Sequence, residues 1–334
     1  MRSSILGLLV CAFLMSFAGA RGHAQTDPCQ HWATGVPSNP FPAGFGPWNC
    51  YLIEYVGYTC SVYTCPPSDP PPCKACTAGS PIDLITGDVF IDETDVKIPG
   101  LSGGLTLTRT WNSKWPPGAS TYQFGMFGQN WASTYEERMF RQSIDYQTFY
   151  RYARADGTLW AFAGYPLYLV APENVVASLG FDSNQNWVIT FHNGEQRVFS
   201  FSSGSLIAII DRNGNTTSLS YDATNRLVTV TDPGGRHLYF NYPNNSNRVS
   251  SVTSDVGLTV SYTYDAQGQH LTQVTENDGS FVTFTYDANY NITAVKDTLG
   301  NLIESHTYDI ENRGLTSSRG SSGAEAVTVS YPNP

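Results

Sequence analysis

The chain has 334 residues, room for about two ordinary domains, and 14% of them are charged while 13% are aromatic. That balance excludes a disordered acidic tail and a long charged helix or coiled coil. A formal net charge of −10 with 18 Lys+Arg leaves no basic stripe to neutralise phosphates, so no nucleic-acid partner is expected.

The predicted elements begin with an address label. Met1 and Arg2 precede the apolar run Ile5–Met15, and small residues follow at Ala18-Gly19-Ala20 and Gly22-His23-Ala24. This order of charge, apolar core and A-x-A-like site is that of a secretory signal peptide over residues 1–24, cut after Ala20 or Ala24. The run is shorter than the ~20 apolar residues a membrane span needs, so no stable span is expected. Export to the periplasm, the cell surface or the medium is the expectation.

Residues 25–77 form a Cys/Pro-rich segment. Cys29, Cys50, Cys60, Cys65, Cys73 and Cys76 all fall here, and no cysteine follows. An even number in an exported chain reads as three structural disulfides whose connectivity is open. Pro66-Pro67 and Pro70-Pro71-Pro72 suit neither helix nor central strand, so cross-links would hold the segment. Two sharper readings are weaker. Cys73-Lys74-Ala75-Cys76 has redox spacing without a thioredoxin-like context, and His31 with cysteines lacks the paired spacing of a zinc ribbon.

Residues 78–195 read as a strand-rich domain. Leu84–Phe90 is expected to turn at Gly87, which supplies a positive φ. Val96–Ile98 and Leu105–Trp111 are the next strands. In the second of these, Leu105, Leu107, Arg109 and Trp111 share one face and threonines fill the other. Arg109 on an apolar face requires a carboxylate or an exit to solvent, and Asp92, Glu93 and Asp95 are the nearest acids. The stretch Asp92–Asp95 itself reads as a solvated acidic loop. Strands continue at Tyr146–Tyr152, Leu159–Phe162 and Trp187–Phe191, with a helical turn plausible near Pro172–Asn174.

Residues 196–334 are periodic. Tyrosines stand at Tyr221, Tyr242, Tyr264, Tyr286 and Tyr308, spaced 21, 22, 22 and 22 residues apart, with Phe201 before and Tyr331 after. Asp222, Asp265, Asp287 and Asp309 follow four of them, and Pro243 follows Tyr242. Positions two and four before each tyrosine are mostly apolar, and those between are Ser or Thr, so one sheet face is dry and the other wet. Each Asp can bond its own backbone in a turn, and an Asn or Gly three residues on accepts the left-handed conformation. A unit is therefore strand–turn–strand–turn, and stacked units bury the dry face. In the last unit Glu304 and His306 occupy positions that are apolar elsewhere.

The pattern Tyr-Asp-x-x-x-Arg-Leu with Asp-x-x-Gly between strands resembles the YD repeats of Rhs proteins, bacterial relatives of the teneurin shell. Gly87-Asp88-Val89, Leu107–Ser113 and Gly128-Gln129-Asn130-Trp131 resemble the domain that precedes those repeats, with Trp111 in place of a Tyr. The resemblance covers about residues 78–331. It implies an all-β fold, antiparallel repeats forming an open segment of a YD-type shell, and encapsulation or presentation of a C-terminal cargo, often a toxin. About six units are fewer than such a shell uses, so the chain is either capped at its edge or the front of something longer.

No catalytic constellation stands out. The sequence lacks H-E-x-x-H, a G-x-S-x-G elbow and a phosphate-cradling glycine loop. Asp211-Arg212-Asn213-Gly214-Asn215 echoes a calcium loop without its later ligands, and turn chemistry accounts for it better. The expectation is a secreted, non-enzymatic structural protein without cofactor or metal. A carbohydrate- or cell-surface-binding module and the N-terminal fragment of a longer toxin stand as alternatives, and a glycan, a cell-surface protein or a cargo as partners. An enzyme would need a site hidden in residues 121–200.

Overall fold

The computed structural model describes residues 77–79, 81–114, 124–144, 147–162, 169, 171, 175–243 and 246–331, together with the strand backbone at 51–56 and 60–64. The signal segment, the helical turn expected near 172–174 and the side chains of all six cysteines lie outside the described residues. Within the cysteine-rich stretch, Tyr51–Val56 pairs antiparallel with Cys60–Thr64, a hairpin that the proline content had not suggested.

Fifteen strands, from Ala177–Phe181 to Ala324–Thr328, follow one another in a single antiparallel meander in which each strand pairs with its neighbours in sequence. Period-two patterning decides which face is buried. Along Thr259–Tyr264, Val260 and Tyr262 are buried while Thr259, Ser261 and Thr263 are exposed, and Thr216–Tyr221 repeats the alternation. The described residues are nearly all β, and the meander has the open antiparallel form expected of a YD-type shell segment.

The dry face is covered by the strand-rich segment that precedes it. Phe90–Ile98 pairs with Leu105–Asn112, which pairs with Trp131–Ser133. Arg138–Ile144, Gln147–Ala153 and Leu159–Phe162 form a second small sheet. These strands lie along the meander in broadly reverse order. Gly314 N–H donates to the Gly87 carbonyl, Val249 N–H to that of Met126 and Met139 N–H to that of Gly204. Aromatic pairs fill the space between: Trp111 against Tyr308, Phe127 against Tyr262, Tyr135 against Phe240 and Tyr152 against Phe199. One core therefore runs through both parts.

Local sequence fixes the turns. Gly87 has φ 76°, as the expected hairpin requires, with its N–H donating to the Asp83 carbonyl. Gly204 has φ 70° and lies so close to the Met139 carbonyl that a Cβ would sit 1.9 Å from its oxygen, so the docking needs glycine there.

The segment Asp92–Asp95 is a strand and not the solvated loop expected from its charge. A register shift between Thr94 and Val96 marks a bulge, which turns the successive residues Asp95 and Val96 inward together. Charge alone gave no sign of that bulge.

Candidate functional site: the tyrosine ladder and the seam

The hairpins headed by Tyr-Asp share one plan. The Asp N–H bonds the carbonyl four residues on, as from Asp222 to Arg226, and the N–H three residues on returns to the Asp carbonyl, as from Asn225. This is a turn followed by a left-handed residue: Asn225 has φ 62° and Asn312 has φ 60°. The carboxylate holds the turn closed. Asp222 Oδ1 accepts from the Thr224 and Arg226 N–H groups, and Oδ2 accepts from Arg226 Nε at 2.7 Å. Asp309 does the same with Arg313 and Asp287 with Asn291. These donors hold the Asp222 and Asp309 carboxyls below the usual carboxylate range. Asp211, the echo of a calcium loop, has both oxygens occupied in the same way by Asn213 and Asn215.

Two hairpins depart from the pattern. The turn at Asp265 is one residue longer and closes on His270, whose Nδ1 lies 2.6 Å from Asp265 Oδ2 and whose Nε2 lies 3.1 Å from Gln129 Oε1. In the next unit Tyr290, neither Asn nor Gly, takes the left-handed position at φ 65°. Its ring stacks on His270 at 4.1 Å with planes 5° apart, a contact that offsets the backbone strain.

The tyrosines act through their hydroxyls. Tyr221, Tyr242, Tyr264, Tyr286 and Tyr308 donate to the carbonyls of Leu206, Leu227, Val249, Leu271 and Ile292 at 2.6–2.9 Å, and Tyr331 donates to Gly314. Leu227, Leu271, Ile292 and Gly314 are the residues paired with the tyrosine of the preceding Tyr-Asp hairpin, beside a register shift in each case. A bulge interrupts the ladder there, and the next hydroxyl supplies a donor to its carbonyl. Tyr242 keeps the bond although Pro243 replaces the acid. Phe201 has no hydroxyl and stacks instead on Trp187 at 5.5 Å. The turn arginines also serve the next rung: the Arg226 guanidinium lies 5.0 Å from the Tyr242 ring centre and that of Arg313 4.4 Å from Tyr331.

Burial pushes the hydroxyls of Tyr221, Tyr242, Tyr264 and Tyr286 upward, so they stay protonated donors. The ladder is thus a device that links rung to rung through backbone carbonyls. It does not present its hydroxyls to a ligand.

A second device joins the two parts of the chain. Arg109, fully buried, makes two bonds to Asp95, Nε to Oδ2 at 2.5 Å and Nη2 to Oδ1 at 2.7 Å. Its guanidinium lies over Trp131 at 4.5 Å, and Tyr262 of the sheet donates to Asp95 Oδ2 at 2.7 Å. Burial opposes the Arg109 charge, Asp95 outweighs it, and the net shift is upward. Of the two fates open to Arg109 from sequence, the carboxylate partner is the one realised. In the last unit Glu304 and His306 are also buried, with His306 Nε2 3.8 Å from Glu304 Oε1.

Comparison with known proteins agrees with this geometry. Residues 202–237 and 264–302 match the RHS Repeat family. The chain carries Rhs repeats. Residues 79–162 of this Rhs-repeat chain match a domain of unknown function, DUF6531. No curated protein matches it. Among solved structures, TcdB2-TccC3 is 16% identical over 70% of this chain and 13% of that chain, with a TM-score of 0.29. A Tc holotoxin pore from Photorhabdus luminescens is 13% identical over 66% of this chain and 14% of that chain, with a TM-score of 0.25. The Rhs-repeat chain thus spans about one-eighth of the length of the structures it matches, and at these scores the fold rests on its own strands and hydrogen bonds.

Proposed function

We propose that the chain is an exported, non-enzymatic structural segment that seals one stretch of an Rhs-type shell, in a system that presents or delivers a cargo at a cell surface. The observation that carries this reading is the occupied dry face. In a hollow shell that face would line the cavity, and here the chain's own aromatic residues fill it from Trp111 to Tyr152. A cargo would therefore sit beyond the sealed rungs and not against them. The ladder and the turn carboxylates supply rigidity, and their polar atoms are spent on the fold, which favours a scaffold over a catalyst.

The test is expression in a bacterial host with mass analysis of the exported protein, followed by digestion. The proposal predicts a mature start at Arg21 or Gln25, and rungs that resist trypsin while a folded reporter fused behind Pro334 is digested as fast as the free reporter. Retention of residues 1–20 in the mature chain, or protection of the reporter by these rungs, would contradict it.

A further inference from the structure

Among the described residues the meander has two free edges, Ala177–Phe181 at its start and Ala324–Thr328 at its end. A free edge offers unpaired N–H and C=O groups to another strand, and folded proteins blunt such edges with charges, prolines or bulges. The last strand is blunted in this way. Its register shifts between Ser317 and Arg319, Glu325 takes φ 55°, and the exposed side chains of Arg319 and Glu325 lie 3.6 Å apart. The first strand carries none of these devices. Ala177-Ser178-Leu179-Gly180-Phe181 has no charge and no proline, and it pairs in unbroken register with Trp187–Phe191. A Cβ placed on Gly180 would meet nothing within 4 Å.

Hydrogen bonding decides which groups of the first strand point outward. His192 N–H donates to the Val176 carbonyl, and Asp182 N–H donates to that of Asn186. Backbone polar groups alternate in direction along an antiparallel strand. Those of Val176, Ser178, Gly180 and Asp182 therefore face Trp187–Phe191, and those of Ala177, Leu179 and Phe181 face away. The same three residues lie on the dry face, where Leu179 is buried and Ala177 packs against the core. Phe181, 40% exposed, leans on Trp187 at 4.3 Å, beside an equally open Phe201. Charges flank the strand without entering it. The Arg141 guanidinium lies over Phe201 at 5.3 Å, and the Asn184 and Asn186 N–H groups hold the Asp182 carboxylate in its own turn.

We propose that this edge pairs two copies of the chain about a two-fold axis at Leu179. The strand is its own complement. Antiparallel pairing about that residue sets Leu179 against the partner's Leu179, and Ala177 against the partner's Phe181. Each such pair exchanges two N–H···O=C bonds, and the large open ring faces a small residue. A chain with a net charge of −10 repels its own copy least where the contact is uncharged. With the far edge blunted, the assembly closes as a dimer and does not grow into a filament. The dimer goes beyond the shell reading, which requires no second copy.

Sedimentation equilibrium and residue-level hydrogen exchange on the full chain, from about 1 µM to about 1 mM, test this. The mass should rise from monomer to dimer and stop there. With rising concentration the amides of Ala177, Leu179 and Phe181 should slow by about tenfold or more, while those of Ser178 and Gly180 stay unchanged. Ala177→Pro removes one outward N–H from each copy and leaves the inward ladder intact, so it should weaken association by about tenfold or more. Should that variant fail to fold, the exchange pattern of the unaltered chain decides by itself. A monomer throughout the range, association without slowing at those three amides, association unchanged in a folded Ala177→Pro variant, or growth beyond the dimer would overturn the proposal.

Discussion

Tyr262 and Arg109 donate to the same oxygen of Asp95, at 2.7 Å and 2.5 Å respectively. One carboxylate thereby ties a sheet residue to a strand 167 residues earlier. Removing Asp95 leaves a buried guanidinium without its charge partner, so Asp95→Ala should cost about 3–5 kcal/mol. Tyr262→Phe removes one bond to a charged group and should cost about 1.5–3 kcal/mol. Urea unfolding of both single variants and the double variant should return a coupling energy of at least ~0.5 kcal/mol; strict additivity would show that the three groups do not act together.

The ladder predicts small, repeated losses. Tyr286→Phe should lower stability by about 1 kcal/mol, since it removes the hydroxyl donor and keeps the ring. Variants at Tyr221 and Tyr308, which are several rungs apart, should add to within ~0.5 kcal/mol. Denaturant midpoints check this, and no loss at any rung would mean the bonds to Leu206, Leu271 and Ile292 carry no weight.

Two glycines with similar φ separate conformational cost from contact. Gly214 has φ 84° with open space around the Cβ position, whereas at Gly204 a Cβ would meet the Met139 carbonyl at 1.9 Å. Gly214→Ala should cost about 1 kcal/mol from the left-handed backbone alone. Gly204→Ala should cost clearly more, because backbone must also move. Equal thermal shifts for the two would argue against the close docking at Met139.

The pH dependence follows from half-buried acids at the seam. Burial pushes Asp88 and Glu93 up to about 7. The folded chain therefore holds these protons more tightly than the unfolded chain, and their contribution is full below the ordinary carboxylate range and lost as pH rises through about 7. The turn aspartates have the opposite sign, with Asp222 and Asp309 lowered, so their contribution is lost only in strong acid. The midpoint of thermal unfolding should be higher at about pH 5 than at about pH 8, and Asp88→Asn with Glu93→Gln should flatten the difference. A midpoint that rises across that range would contradict the burial of these two groups.

Much of the fold could be read from the chain because its periods are regular. Alternation at Val260 and Tyr262 gave the dry face, and the Tyr-Asp spacing gave the rungs. The site was less legible. Hydroxyl bonds to Leu227 or Leu271 depend on bulges, and a bulge leaves no mark in hydropathy. Asp95 looked like one acid among three, and only its bulge separates it from Asp92, which stays exposed and accepts from Thr110 at 2.6 Å. The left-handed Tyr290 escaped for a similar reason: its stacking partner His270 belongs to the preceding unit.

The packing of the preceding strands into the sheet's dry face can be read most directly from one ring pair. Trp131 and Phe284 have ring centres 5.2 Å apart, so in a selectively labelled sample their ring protons should give a strong cross-relaxation peak. That peak, present at neutral pH and lost on unfolding, is what the packed arrangement predicts. Both ring systems assigned in the folded chain with no peak between them would contradict it.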